Sequence, residues 1–151
     1  MTIVSLTPSM GEPLAALHAR AFSGSEAWSA SAIEASLQQS VNSGFGIDDG
    51  RIQSFIIIQT VSDAAEILTI ATDPEAQRQG FAKRLLVQIE RLFRPQKVML
   101  EVAQDNPGAI AFYERAGFIK DGCRPEYYRR LEGPRIDAIL MSKRLAGQTH
   151  R

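Results

Sequence analysis

The sequence has few of the residues from which disulfide frameworks and metal sites are built. Its 151 residues include one cysteine, Cys123, and two histidines, His18 and His150. One cysteine excludes an internal disulfide, and these three residues give no zinc-ligand spacing. The sequence therefore favours a protein without a metal site that works in a reducing compartment.

The sequence also lacks an excess of either charge and a long apolar run. Seventeen Lys and Arg residues balance seventeen Asp and Glu residues, so the bulk charge favours neither nucleic acid nor a membrane surface as a partner. No apolar run approaches the roughly 18 residues of a membrane span, and the first residues do not resemble a secretory leader. We expect a soluble, cytoplasmic protein with no nucleic-acid or membrane partner.

Chain length and hydrophobic content predict one globular domain, because 44% of the residues are apolar. We expect this domain to cover residues 1–145 and residues 146–151 to form a flexible tail. Apolar periodicity and turn residues predict an α+β fold in the order β-α-α-β-β-β-α-β-α-β-β. The predicted strands are Ile3 to Leu6, Gly44 to Ile47, Ile52 to Gln59, Ala65 to Thr72, Lys97 to Val102, one from Phe118, and Ile136 to Ser142.

Helix boundaries follow from capping and breaking residues. The first helix ends near Phe22, and Ser31 with Glu34 predicts a capping box for a second helix toward Ser40. The third runs from Gly80 to Phe93, and the fourth from Asn106 to Ala116. The apolar side chains predicted on the inner face of the third helix are Phe81, Leu85, Leu86, Ile89, Leu92 and Phe93. Residues 48–51 predict a hairpin turn, and residues 124–135 a polar and aromatic loop.

The junction between the fourth strand and the third helix predicts an anion site. A helix start offers unpaired backbone N–H groups and the positive end of the helix dipole. Gly80 allows a ligand to approach the backbone closely, and Arg78 adds a cationic donor. A pyrophosphate would fit there, whereas an arginine that is only solvated is the alternative interpretation. Nucleotide motifs of the G-x-G-x-x-G and G-x-x-x-x-G-K-S/T types are missing.

Two motifs carry a resemblance to a known family. Gln77-Arg78-Gln79-Gly80-Phe81-Ala82 fits the pattern Q/R-x-x-G-x-G/A, and Asn106-x-x-Ala109-x-x-x-Tyr113-x-x-x-Gly117-Phe118 fits a helix and strand that follow it. With both motifs spaced around a predicted strand, the chain resembles the GNAT superfamily of acetyl-coenzyme A dependent N-acetyltransferases over nearly its whole length. The resemblance implies a central mixed, mostly antiparallel sheet of about seven strands flanked by four helices.

More narrowly, the chain resembles the ribosomal-protein-alanine N-acetyltransferases. The segments that carry this likeness are Trp28-Ser29, Leu100-Glu101-Val102, Tyr127-Tyr128 and residues 137–141. Two departures bear on the acceptor. Ile136 stands where the subfamily usually has an acidic residue, and the loop before it is unusually basic. The implied partners are acetyl-coenzyme A and a protein N-terminus, or alternatively a small amine or a lysine; a non-catalytic acyl-coenzyme A binding module is the third possibility.

The resemblance also assigns residues to the donor. It implies that backbone groups of the fourth strand pair with the pantetheine arm, that the Gln77 to Ala82 turn holds the pyrophosphate, and that Asn106 contacts pantetheine in addition to capping its helix. The implied cofactor-binding residues are Ile70, Ala71, Thr72, Gln77, Arg78, Gln79, Gly80, Phe81, Ala82 and Asn106.

Catalytic candidates follow from what acetyl transfer requires. The amine must lose a proton, and the departing thiolate must receive one. We expect Glu101 to be the general base, with a solvated strand residue as the alternative. The resemblance implies that Tyr113 is the general acid, although a helical tyrosine is otherwise more often a packed core aromatic. Trp28, Tyr127 and Tyr128 are expected to bind the acceptor, or else to be hydrophobic packing residues.

Overall fold

A computed structural model describes residues 1–22, 26–130 and 132–145. The expectation of a flexible tail at residues 146–151 lies outside this part of the chain. The described residues form seven strands and four α-helices, in the predicted order. They are β1 Thr2–Ser5, α1 Gly11–Ala21, α2 Ala30–Gln38, β2 Asn42–Asp48, β3 Ile52–Val61, β4 Ala64–Thr72, α3 Phe81–Phe93, β5 Lys97–Ala103, α4 Pro107–Arg115, β6 Ile119–Tyr128 and β7 Ile136–Arg144.

The seven strands form one sheet in the order β1-β2-β3-β4-β5-β7-β6. All neighbours are antiparallel except β4 and β5, which are parallel. This is the predicted mixed, mostly antiparallel sheet. The parallel step lies at its centre because α3 connects β4 to β5, as a crossover between parallel strands requires.

Two apolar clusters, one on each face of the sheet, form the core. One cluster packs α3 against the sheet through Phe81, Leu85 and Ile89. The other packs α1 and α2 through Leu14, Leu17 and Ile33. Alternate residues of β3 supply both clusters: Phe55 and Ile57 face α1, and Ile56 and Ile58 face α3. The sheet is therefore covered on both faces, as its continuous apolar strands predict.

A bulge in β4 changes which face its residues occupy. The β3–β4 register shifts at Ile57/Ile58, so that Ile58 pairs with Ile67 while Ile57 pairs with Thr69. Regular alternation would place Thr69 on the same face as Ile67. The extra residue instead turns Thr69 toward α1, because it shares the face of Ile57.

Several local predictions were wrong. The N-cap of α2 is Ser29, whose hydroxyl accepts a hydrogen bond from the Ala32 N–H, whereas Ser31 lies inside the helix. Residues 124–128, predicted as loop, belong to β6, which bends there through a register shift and a positive φ at Glu126. Leu92 does not join the inner face of α3, since it is 56% exposed at the last turn. The hairpin at residues 48–51 is confirmed.

Candidate active site

The strands β4 and β5 diverge and open a groove in the middle of the sheet. They pair only at Ala64–Lys97, Ala65–Val98 and Glu66–Met99. Beyond these pairs, residues 67–72 of β4 and 100–103 of β5 line a cavity of about 1460 Å³, larger than the roughly 300–1,000 Å³ of ordinary small-ligand pockets. Each strand therefore presents an unpaired backbone edge to the groove, and such an edge can hydrogen-bond the amides of an extended ligand.

The Gln77 to Ala82 turn forms one end of this groove. Gly80 is the N-cap of α3 and has φ +79°, and Arg78 also has a positive φ of 69°. No side chain caps α3. The Arg84 N–H donates a backbone hydrogen bond to the carbonyl of the N-cap residue Gly80. The N–H groups of the first helical turn are thus open toward the groove, in the arrangement that binds phosphate.

The chain that leads into this turn is fixed by Asp73. Its carboxylate accepts hydrogen bonds from the Glu75 N–H at 3.0 Å and from Arg20 at 2.8 Å, and it is 3% exposed. The Glu75 N–H and then Arg20 hold the pKa of Asp73 below its usual value. Asp73 therefore stays ionised at neutral pH and anchors the turn to α1.

Two cations of this turn and of the first turn of α3, Arg78 and Lys83, line the groove and have no ion-pair partner among the described residues. Two cations without carboxylates favour a polyanionic ligand, because their charges are not neutralised by the protein. Together with the open helix start, they fit the diphosphate portion of coenzyme A. Gln79 is exposed and is the one predicted cofactor residue that does not line the groove.

Glu101 and Tyr113 line the same groove, from β5 and α4. Glu101 is engaged by Arg124 of β6 at 2.7 Å, and its side chain is 20% exposed. Tyr113 is 6% exposed, and burial, with a smaller contribution from Tyr128, raises its pKa well above the usual value. The phenol is therefore protonated at neutral pH. Its hydroxyl has no hydrogen-bond partner among the described residues and is not sealed from the groove.

The opposite end of the groove is aromatic. Trp28 lines it from the segment before α2, and Tyr127 and Tyr128 line it from the end of β6. The two tyrosine rings pack edge to face at 5.1 Å. Burial first, and then the nearby Glu101 and Glu26, raise the pKa of Tyr128 to about 12, against a smaller opposing effect of Arg130. All three aromatic residues predicted to contact the acceptor therefore lie at one end of the groove.

An ion network joins three loops at the aromatic end. Arg130 binds Asp105 through two bonds of 2.6 and 2.8 Å, and it contacts Glu26 at 3.0 Å. The hydrogen bond from Arg130 holds the pKa of Asp105 below its usual value, whereas burial raises that of Glu26. Asp105 precedes Asn106, whose side chain caps α4 by accepting from the Ala109 N–H at 3.2 Å. The aromatic end and the start of α4 are thereby connected.

Sequence reasoning missed His18 and Glu26, which also line the groove. His18 shares the inner stripe of α1 with Leu14 and Leu17, and this spacing was the available signal. Glu26 gave no sequence signal because its partners, Arg130 and Asp105, are distant in the chain. Among the described residues, no group of three His, Cys, Asp or Glu side chains could hold a metal ion, and no helix is long and apolar enough to cross a membrane.

Comparison with known proteins identifies relatives of this chain. The profile described as the Acetyltransferase (GNAT) family matches residues 12–118. The [Ribosomal protein bS18]-alanine N-acetyltransferase of Escherichia coli K12 is 39% identical over 97 residues, which cover 62% of this chain and 65% of that protein, just under two thirds of its length. The N-alpha-acetyltransferase RimI of Mycobacterium tuberculosis is 32% identical over 134 residues, which cover 85% of each chain.

A solved structure matches the whole fold. The crystal structure of the ribosomal-protein-S18-alanine N-acetyltransferase from Escherichia coli superposes with a TM-score of 0.86 at 31% identity. The superposition covers 99% of this chain and 98% of that one. The fold that contains the diverging strands and the open helix start is therefore shared with this relative over nearly the whole length of both chains.

Proposed function

This chain belongs to the Acetyltransferase (GNAT) family, and from that membership we propose that it transfers the acetyl group of acetyl-coenzyme A to the N-terminal α-amine of a protein, as in ribosomal-protein alanine acetylation. The observation that supports this most directly is one groove with an anion-binding helix start at one end, aromatic residues at the other, and Glu101 and Tyr113 along its walls. A two-ended groove of this kind suits two substrates that meet in its middle.

At the donor end, the residues of this chain bind and orient. The first-turn N–H groups of α3 and the unpaired cations Arg78 and Lys83 would hold the diphosphate, and the open edge of β4 at Ile70 to Thr72 would pair with the pantetheine amides. Acetyl-coenzyme A supplies a thioester carbon activated for attack. A backbone N–H of β4 would polarise the thioester carbonyl, which stabilises the negative charge that develops on its oxygen.

Two side chains would move the protons. Glu101 would take a proton from the acceptor amine, directly or through water, as the new C–N bond forms. Tyr113 would donate its proton to the sulfur as the C–S bond breaks, because burial keeps it protonated at neutral pH. Among the described residues Cys123 has no paired histidine, and its thiol donates to Asp137, which favours direct transfer without an acyl-enzyme.

An α-amine is the acceptor that makes the smallest demand on this site. Its pKa of roughly 7.7–8.0 leaves part of it neutral at physiological pH, whereas a lysine near 10.4 is almost fully protonated. One carboxylate is then a sufficient base. The aromatic end at Trp28, Tyr127 and Tyr128 would contact the first residues of the acceptor peptide.

A panel of acceptors with free-thiol and mass-shift readouts tests this proposal. The panel contains peptides that begin with Ala-Arg, the same peptides with a blocked N-terminus and an internal lysine, polyamines and aminoglycosides. We expect a gain of one acetyl group on the free N-terminus and thiol release that depends on it. Turnover confined to lysine or polyamines would contradict the proposed acceptor, and coenzyme A binding without any turnover would indicate a non-catalytic binding module.

A further inference from the structure

His18 lines the groove and hydrogen-bonds two of the segments that form it. It lies on α1 and is 1% exposed. Its Nδ1 accepts a hydrogen bond from the Trp28 backbone N–H at 3.1 Å, and its Nε2 lies 2.8 Å from the Thr69 hydroxyl. Trp28 belongs to the aromatic end, whereas Thr69 belongs to β4, the strand that lines the donor side.

The two hydrogen bonds fix the tautomer of His18. A backbone N–H can only donate, so Nδ1 must be the unprotonated nitrogen and Nε2 must carry the hydrogen. Nε2 then donates to Thr69 Oγ1. Burial lowers the pKa of His18 to about 4, which keeps the ring in this neutral form at physiological pH. Both ring nitrogens are satisfied, and each bond holds one side of the groove.

The surrounding rings leave the imidazole little freedom to move. Phe22 stacks on it with ring centroids 4.5 Å apart, and Trp28 and Phe55 pack at 5.8 and 6.1 Å. The bulge in β4 is what brings Thr69 to this face, since regular alternation would point it toward α3. The bulge and the ring packing therefore cooperate to bring one imidazole to both partners.

We propose that His18 is a positioning residue that ties the Trp28 segment of the acceptor wall to β4 and so sets the width of the groove between acceptor and donor. This inference rests on the proposed function, because Trp28 contacts acceptor only if the aromatic end binds it. In this role His18 acts through its bonds to Trp28 and Thr69 and not through a contact with either substrate. Its loss changes the acceptor site through Trp28 and leaves the phosphate-binding turn at Gly80 intact.

Three substitutions separate the two bonds. In His18→Asn, the amide oxygen can take the place of Nδ1 and accept from Trp28; in His18→Gln, the amide nitrogen can take the place of Nε2 and donate to Thr69. His18→Leu removes both bonds. Leu14→Ala is the control for lost stability, because Leu14 is fully buried on the same helix but does not line the groove.

We expect His18→Leu and His18→Gln to raise the KM for the acceptor peptide roughly tenfold, because both variants lose the buried hydrogen bond to Trp28. The Kd for coenzyme A should change less than twofold. His18→Asn should restore most of the acceptor KM. Leu14→Ala should lower the unfolding midpoint and leave both constants unchanged. An acceptor KM within twofold of wild type in His18→Leu would overturn the proposal and reduce His18 to a core residue.

Trp28 supplies a readout that does not depend on turnover, because it is the only tryptophan in the chain. We expect its emission to be more accessible to acrylamide in His18→Leu and His18→Gln than in wild type, and His18→Asn to resemble wild type. Equal quenching in all four proteins would overturn the positioning role, even if no acceptor is turned over. If wild type releases no thiol with any acceptor while quenching follows the predicted order, the proposed function fails and the positioning role stands.

Discussion

At the scale of single residues, substitution of the proposed general base, Glu101, tests the mechanism most directly. Glu101→Gln removes the carboxylate but keeps its size, so we expect turnover to fall roughly 100-fold, within the range of general-base effects. The loss should be largest at lower pH, where more of the α-amine is protonated and a base is needed most. The measurement is a pH series of kcat/KM. Glu114→Gln is the control, because Glu114 is exposed and does not line the groove.

Tyr113→Phe tests the proposed acid with little disturbance of the core. The ring of Tyr113 packs edge to face against Phe112 at 5.3 Å and Phe118 at 5.5 Å, and phenylalanine keeps both contacts. We expect an unchanged unfolding midpoint, an unchanged Kd for coenzyme A, and thiol release at least roughly tenfold slower in single-turnover measurements. Wild-type thiol release in this variant would remove the acid role from Tyr113.

His18 also makes the stability of the fold depend on pH. Its pKa is about 4 in the folded protein against 6.5 for a solvent-exposed histidine, so the unfolded chain binds the extra proton between these values. Stability must then fall as pH drops through this window, by about 2 kcal/mol between pH 7 and 5. The side chains that contact it, Phe22, Trp28, Phe55 and Thr69, carry no charge.

Urea unfolding at pH 7 and pH 5 checks this dependence. Wild type should lose about 2 kcal/mol more than His18→Leu over the same interval, because the variant has no imidazole to protonate. Other titrating groups act equally in both proteins, so the difference between them belongs to His18. Identical pH dependence in the two proteins would mean that this imidazole is not protonated more readily in the unfolded chain.

At the scale of elements, Asn106 has two possible roles that substitutions can separate. Its side chain caps α4, as the Ser29 side chain caps α2, with bonds of 3.2 and 3.1 Å. Asn106→Asp keeps an oxygen for the cap but loses the amide donor, whereas Ser29→Ala loses the cap of a helix at a residue that does not line the groove. If Asn106 also contacts pantetheine, Asn106→Asp should weaken coenzyme A binding by calorimetry and leave the unfolding midpoint unchanged.

Ser29→Ala provides the opposite pattern. It should lower stability by about 1 kcal/mol, the usual value of an N-cap, without changing the Kd for coenzyme A. Unaltered affinity in Asn106→Asp would assign Asn106 to the cap alone.

Elements with strong local signals could be predicted from the sequence. Gly80 and the periodic α3 predicted the turn that begins this helix, and Asn106-Pro107 predicted the start of α4, because caps, breakers and helical periodicity are local. The α2 cap was misplaced because Ser29 and Ser31 are both good capping residues, and only the extended backbone at Ser29 decides between them. The role of His18 could not be predicted, since Thr69 is 51 residues away and reaches it through an unpredicted bulge.

At the scale of the whole molecule, the groove exists because two neighbouring strands separate. After Glu66–Met99, β4 continues beside β3 and β5 continues beside β7, so each keeps one paired edge and opens the other. Sequence patterns can place both strands, but they cannot show where non-local pairing stops. The same separation brings Glu101 and Tyr113 to one cavity with residues from four other elements. The candidate residues could therefore be named from the sequence and the resemblance, whereas the point at which the two strands separate could not.

The distribution of charge over the molecule leads to the last prediction. The chain is neutral overall, yet Arg124 and Arg130 near the aromatic end are paired with Glu101 and Asp105, while Lys83 in the first turn of α3 has no ion-pair partner among the described residues. A neutral protein should therefore bind a polyanion through a local field that salt screens over roughly 10 Å at 0.1 M. We expect coenzyme A affinity to fall steadily as salt is raised, as measured by calorimetry.

Two adjacent cations on α3 make this prediction specific. Lys83 lines the groove and Arg84 does not, although both are exposed in the first turn of the helix. Lys83→Gln should raise the Kd for coenzyme A roughly two- to fivefold at low salt and less at high salt, as expected for an exposed ion pair. Arg84→Gln should change neither the Kd nor its salt dependence. If both variants weaken binding equally, net charge rather than the geometry of the groove attracts the ligand, because each substitution removes one positive charge from the same turn.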